Sequence, residues 1–129
     1  MHRKRIEIRW RDLDAMNHVN NAVYLTYLEE ARDEWLERML GRDGAAWSYV
    51  VARIAIDFRR QLSQADDEVV ASCGLARLGT SSVTTREELR TGSGDIAAEA
   101  EAVLVAIDED SGKPRPLSEP ERAALAKEG

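Results

Sequence analysis

The chain has 129 residues, 43% of them hydrophobic and 33% charged, which suits one soluble globular domain over residues 1–129 and excludes a disordered or fibrous chain. Its net charge of −6 argues against a nucleic-acid partner, since phosphate recognition wants a basic face, although a local Arg or Lys cluster can still receive a small anion. No apolar run approaches the roughly 18–20 residues of a membrane span, no secretory h-region follows the basic start, and one cysteine cannot form an internal disulfide, so the cytoplasm is the expected compartment. Residues 4–10, KRIEIRW, alternate and predict a short strand with Ile6, Ile8 and Trp10 on one face. Residues 21–40 predict one helix, with Tyr24, Leu28, Ala31, Trp35 and Met39 on an apolar stripe that Tyr27 and Leu36 widen. Asn20 or Asn21 suits the N-cap and Gly41 the C′ position, while Arg32 and Glu29 are spaced for an intrahelical pair.

Residues 48–59 alternate, with Val50, Ala52, Ile54, Ile56 and Phe58 expected on one face. Residues 67–78 and 82–91 read as two more strands separated by LGTSS, and GSGD at 92–95 as a tight turn. Cys73 falls in the apolar alternation of the first of these and reads as a small core residue. Residues 96–107 carry helix-favouring Ala and Glu but end in VLVAI, and the flanking turns decide for a strand. Residues 108–116 read as a loop. Ser118, Pro120 and Glu121 open a short final helix over 118–127. The fold class is therefore α+β, in the chain order β-α-β-β-β-β with a C-terminal helix. The long helix is expected to pack across a mostly antiparallel sheet. One helix on one face leaves a sheet edge open, so a homodimer is expected to pair those edges.

The segment RWRDLDAMNHVNNAVYLTYLEEAR resembles the N-terminal signature of hotdog-fold thioesterases of the 4-hydroxybenzoyl-CoA thioesterase type, D-x-D-x-x-G-H-V-N-N-x-x-Y and then a helix ending E-x-A-R. The passages around LGTSS and GKPRPL are similar to later parts of that family, so the resemblance spans about residues 4–126. The chain has Asn17 where the family often has Gly, and Asn is the next best residue for a positive φ. The resemblance implies the hotdog fold, an active site at a dimer interface, assembly to a homodimer or homotetramer, and hydrolysis of an acyl-CoA thioester without a cofactor.

By position in the motif, Asp14 is the implied catalytic carboxylate, acting as general base or nucleophile. The N–H of Asn21, perched at the helix start, is the implied oxyanion donor. Asn17, His18 and Tyr24 are candidate substrate contacts. So are Arg59, Ser81 and Ser82, with Arg60, Arg77, Lys113 and Arg115 as further cations for the CoA phosphates. Each has a plainer reading: a loop Asp bonding backbone, an ordinary cap, a satisfied loop His, a buried Tyr, a surface Arg. Asp12 reads as structural or exposed, and Glu29 or Glu30 as an alternative helix carboxylate. His2 and His18 have no metal-ligand spacing. Three other functions share the fold: an acyl-carrier-protein thioesterase, a non-catalytic acyl-CoA-binding protein, and a hydratase using His18 with Asp14.

Overall fold

The computed structural model describes residues 1–41 and 47–127. In chain order it contains β1 (His2–Glu7), a 3-10 turn (Trp10–Asp12), α1 (Asn21–Leu40), β2 (Tyr49–Phe58), β3 (Glu68–Leu78), β4 (Ser82–Thr91), β5 (Ile96–Ala106) and α2 (Glu119–Ala126). All strand pairs are antiparallel, in the order β1-β3-β4-β5-β2. Only β3, β4 and β5 follow one another as hairpins. The 59–67 connection carries the chain from one edge of the sheet toward the other, so β2 lies beside β5 and both β1 and β2 are edges.

The apolar stripe of α1 forms as its spacing requires: Tyr24, Tyr27, Leu28, Ala31, Trp35 and Leu36 are buried, with Met39 partly so. It packs on β3, β1 and β4. Each large side chain so buried contributes about 1.5–3 kcal/mol. Asn20 is the N-cap, its side chain accepting from the Ala22 N–H at 2.9 Å, and Gly41 ends the helix at φ 86°. At the far end Ser118 and Glu121 form the expected capping box of α2. No helix among the described residues is long and apolar enough to cross a membrane.

Three expectations need correction. β1 stops at Glu7, because Arg9 caps a 3-10 turn closed by Asp12; Trp10 is thereby thrown outward and is 84% exposed. In β2 the register shifts between Val51 and Arg53. Ala52 is the extra residue of a bulge, which inverts the alternation ahead of it. Tyr49 and Val51 therefore share the helix-side face with Ile54, Ile56 and Phe58, and Val50 lies on the outer face opposite Val105. Finally, Arg32 does not turn to Glu29. It is buried and makes a bidentate pair with Glu87 on β4, at 2.9 and 3.0 Å. Thr85 also donates to Glu87, and Cys73 packs beside it in the core.

Candidate active site

The segment between β1 and α1 is built to hold a turn against the helix start. The Asp14 N–H donates to the His18 carbonyl at 2.8 Å, and Leu13 bridges Val19. Asn17 sits at the tip with φ 63°, the left-handed conformation expected where the family often has Gly. Within this turn the Asp14 carboxylate accepts the N–H groups of Met16 (2.9 Å) and His18 (3.1 Å), both on Oδ1. Oδ2 meets no donor among the described residues. One oxygen is thus pinned and the other is left for chemistry.

Asp12 fastens this turn to the helix. Its carbonyl accepts the Asn20 N–H at 2.9 Å, and its buried carboxylate takes the Tyr27 hydroxyl at 2.6 Å and the backbone and side chain of Arg9 at 3.0 Å. Burial opposes the charge on Asp12, but these donors outweigh it and hold the carboxyl below its usual range. The Tyr27 hydroxyl is pushed up by burial and by that carboxylate. Sequence reading missed this cluster; the only signal was Asp12 lying two residues before Asp14.

At the helix start the Ala22 N–H goes to the Asn20 side chain and the Val23 N–H to the Asn20 carbonyl. The Asn21 N–H has no acceptor among the described residues. A bare N–H on the first turn of a 20-residue helix carries the positive end of its dipole.

Tyr24, one turn on, is fixed by its hydroxyl, which donates to the Arg60 carbonyl (2.9 Å) and accepts from the Leu62 N–H (3.0 Å). Burial raises its pKa, so it stays a neutral phenol. Its ring meets Phe58 edge-on, with centroids 5.2 Å apart. The Val19 N–H in turn donates to the Leu62 carbonyl at 2.7 Å. These bonds enclose a cleft of about 420 Å³. It gathers five of the eight residues singled out from the sequence: Asp14, His18, Asn21, Tyr24 and Arg59. Arg60, one of the further candidate cations, also lines it, as do Met16, Val19, Phe58 and Gln61, which were not placed there from sequence.

The other three lie elsewhere in one chain. Asn17 is exposed at the turn tip, outside the cleft lining. Ser81 is in the β3–β4 turn and Ser82 opens β4. Ser82 faces Val105 on β5 whereas Phe58 faces Ala98, seven positions or about 23 Å away at roughly 3.3 Å per residue. The cations at the cleft mouth are compensated: Arg59 bonds Glu99 at 3.1 Å and Arg60 bonds Asp66 at 3.1 Å. Arg77 is shared with Glu101, and Arg115 is committed to Glu121, Ser48 and the Ile107 carbonyl. Among the described residues, no group of three or more His, Cys, Asp or Glu side chains is arranged to hold a metal ion.

A family model for the thioesterase-like superfamily matches residues 8–125. The chain belongs to that superfamily. Long-chain acyl-CoA thioesterase FadM of Escherichia coli (strain K12) is 33% identical over 109 residues, 80% of each chain. The crystal structure of a thioesterase from Thermus thermophilus, complexed with coenzyme A and Zn, is 35% identical with a TM-score of 0.88. That match covers 97% of this chain and 91% of that one. The PA5185 protein of Pseudomonas aeruginosa strain PAO1 is 27% identical with a TM-score of 0.85, over 99% of this chain and 91% of that one. The superfamily's hotdog fold, a long helix across an antiparallel sheet, is the architecture described above.

Proposed function

We propose that this protein is an acyl-CoA thioesterase, hydrolysing the thioester to a free acid and CoA. The observation that carries the reading is that Asp14 and Asn21 line one cleft, with Asp14 Oδ2 and the Asn21 N–H both without a partner among the described residues. The Asn21 N–H binds the carbonyl oxygen and stabilises it as charge develops. Asp14 either draws a proton from water as the water adds to the carbonyl carbon, or attacks that carbon itself. In both routes the C–S bond breaks and the thiolate leaves and takes up a proton; in the second the acyl group is left on Asp14 as a mixed anhydride, which water then cleaves to release the acid and restore the carboxylate. The relatives named for acyl-CoA hydrolysis and for a CoA complex support the substrate class.

The reading includes a homodimer, assembling further to a homotetramer, working in the cytoplasm as a single domain. The edge strand β2 supports the dimer, since Val50, Val51 and Phe58 on it are each more than 40% exposed. Antiparallel pairing of two β2 strands would set the Phe58 end of one against the Tyr49 end of the other. The Ser81–Ser82 turn of a second copy would then come toward the cleft.

The test is free-thiol release from a panel of short, long and aromatic acyl-CoAs, with Asp14→Asn in parallel and a protein blank for Cys73. Asn keeps a side-chain oxygen for the two loop N–H groups and removes the charge. Wild type should turn over, and the variant should lose roughly 10²–10⁴ in kcat. An Asp14→Asn protein as active as wild type would overturn the assignment, and a wild type that cleaves nothing would overturn the function.

A further inference from the structure

A thioester has two unlike arms, and the cleft is lined by two kinds of side chain. His18, Arg59, Arg60 and Gln61 are polar, and Tyr24 and Phe58 bring rings. With the carbonyl held between Asp14 and the Asn21 N–H, the polar side chains suit the amide- and phosphate-bearing arm. The acyl arm is left to run along the rings. Tyr24 cannot yield, because both hydrogen-bonding functions of its hydroxyl are spent on the backbone of residues 60 and 62. Phe58 is different. It ends β2, is 48% exposed, and is steadied by an edge contact with Tyr24.

The β5 residues opposite Phe58 and its neighbours are small. On the same helix-side face, Phe58 stands opposite Ala98, and Ile56 and Ile54 follow opposite Ala100 and Ala102. The three alanines are almost wholly buried, while Ile54 and Ile56 are partly so. No side chain on β5 over this stretch is large enough to replace the ring as a barrier. On this face Phe58 lines the cleft, and Ile56 and Ile54 lie beyond it along β2.

We propose that Phe58 is the specificity-determining residue of this enzyme, a stop against which the end of the acyl chain rests. The protein then favours straight acyl chains short enough to end at the ring. This rests on the thioesterase reading for its substrate, and its test is chosen to separate the two. Phe58→Ala and Phe58→Trp are compared with wild type in kcat/KM along a series of straight-chain acyl-CoAs. The same series is measured as binding of S-alkyl-CoA thioethers, which cannot be hydrolysed.

Phe58→Ala should move the cut-off to longer chains, gaining roughly fourfold per extra methylene accommodated. Phe58→Trp should move it to shorter ones. Thermal melts of both variants confirm that they fold. Profiles for wild type and Phe58→Ala that superimpose after scaling overturn the proposal while leaving the thioesterase reading intact. A wild type that binds the thioethers with a cut-off shifted by Phe58→Ala, but cleaves no acyl-CoA, upholds the stop and overturns the hydrolytic reading. A wild type that binds no thioether overturns both.

Discussion

Replacing Asn21 by proline removes one atom group, the N–H assigned to the oxyanion, at a helix position that accepts the ring. Asn21 is the first helical residue, where proline is favoured because its missing N–H would be unpaired in any case. Asn20 has ψ 137°, the extended conformation that a following proline demands. The Ala22 and Val23 N–H groups stay with Asn20, so no neighbour is free to substitute. Loss of one oxyanion donor costs about 10²–10³ in kcat, or about 2.7–4 kcal/mol of transition-state stabilisation. The assay is steady-state thiol release beside urea denaturation. Asn21→Pro should fold with stability within about 1 kcal/mol of wild type and lose that activity. Asn21→Ala keeps the main-chain donor and should lose at most a few fold. An active Asn21→Pro protein refutes the reasoning. So does an Asn21→Ala protein as slow as the proline variant, since the side chain would then be the working group.

Arg32→Met strands the buried Glu87 carboxylate and should cost about 3–5 kcal/mol, lowering Tm by about 10–20 °C, whereas Arg32→Met with Glu87→Leu should recover most of that in a thermal melt. Asn17→Gly should leave urea stability within about 0.5 kcal/mol, because φ 63° suits glycine, and Asn17→Val should cost about 1–2 kcal/mol. The Arg115 guanidinium holds the Glu121 carboxyl down to about 2 from an ordinary 4.5. A depressed carboxyl stabilises the fold above its unfolded value, so that contribution should fade as pH falls from about 4.5 toward 2, and Glu121→Gln should flatten this part of the acid-denaturation curve.

What the sequence disclosed was local. The stripe of α1, its caps, the five strands and the need for a positive φ at Asn17 all follow from periodicity and backbone chemistry within a few residues. The Asp14 to Tyr24 half of the cleft was legible from the family resemblance, whose motif spans one turn and the helix it feeds. Contacts across long loops were not. Arg32 and Glu87 are 55 positions apart, and a charged residue on an acidic helix reads as solvated until its partner is known. The bulge at Ala52 left no mark, since VVARIAI alternates acceptably in either phase. Phe58 and Gln61 reach the cleft only because the chain leaves β2 across the front of Tyr24, and Ser81 and Ser82 belong to the opposite end of the sheet.

The bonds around the cleft have a consequence for motion. The helix start, the 58–62 segment and the turn carrying Val19 are joined through the Tyr24 hydroxyl, the Leu62 carbonyl and the Asp12 carbonyl. These ties couple the walls that one chain supplies, so the ordering of that part of the site is completed when the chain folds. Substrate meets a cavity that needs no rearrangement to receive it, which lowers the entropic cost of capture. On heating, such a site has no softer state to pass through. Catalysis and the native fold should therefore fail at the same temperature, with no range in which a folded protein has lost its activity.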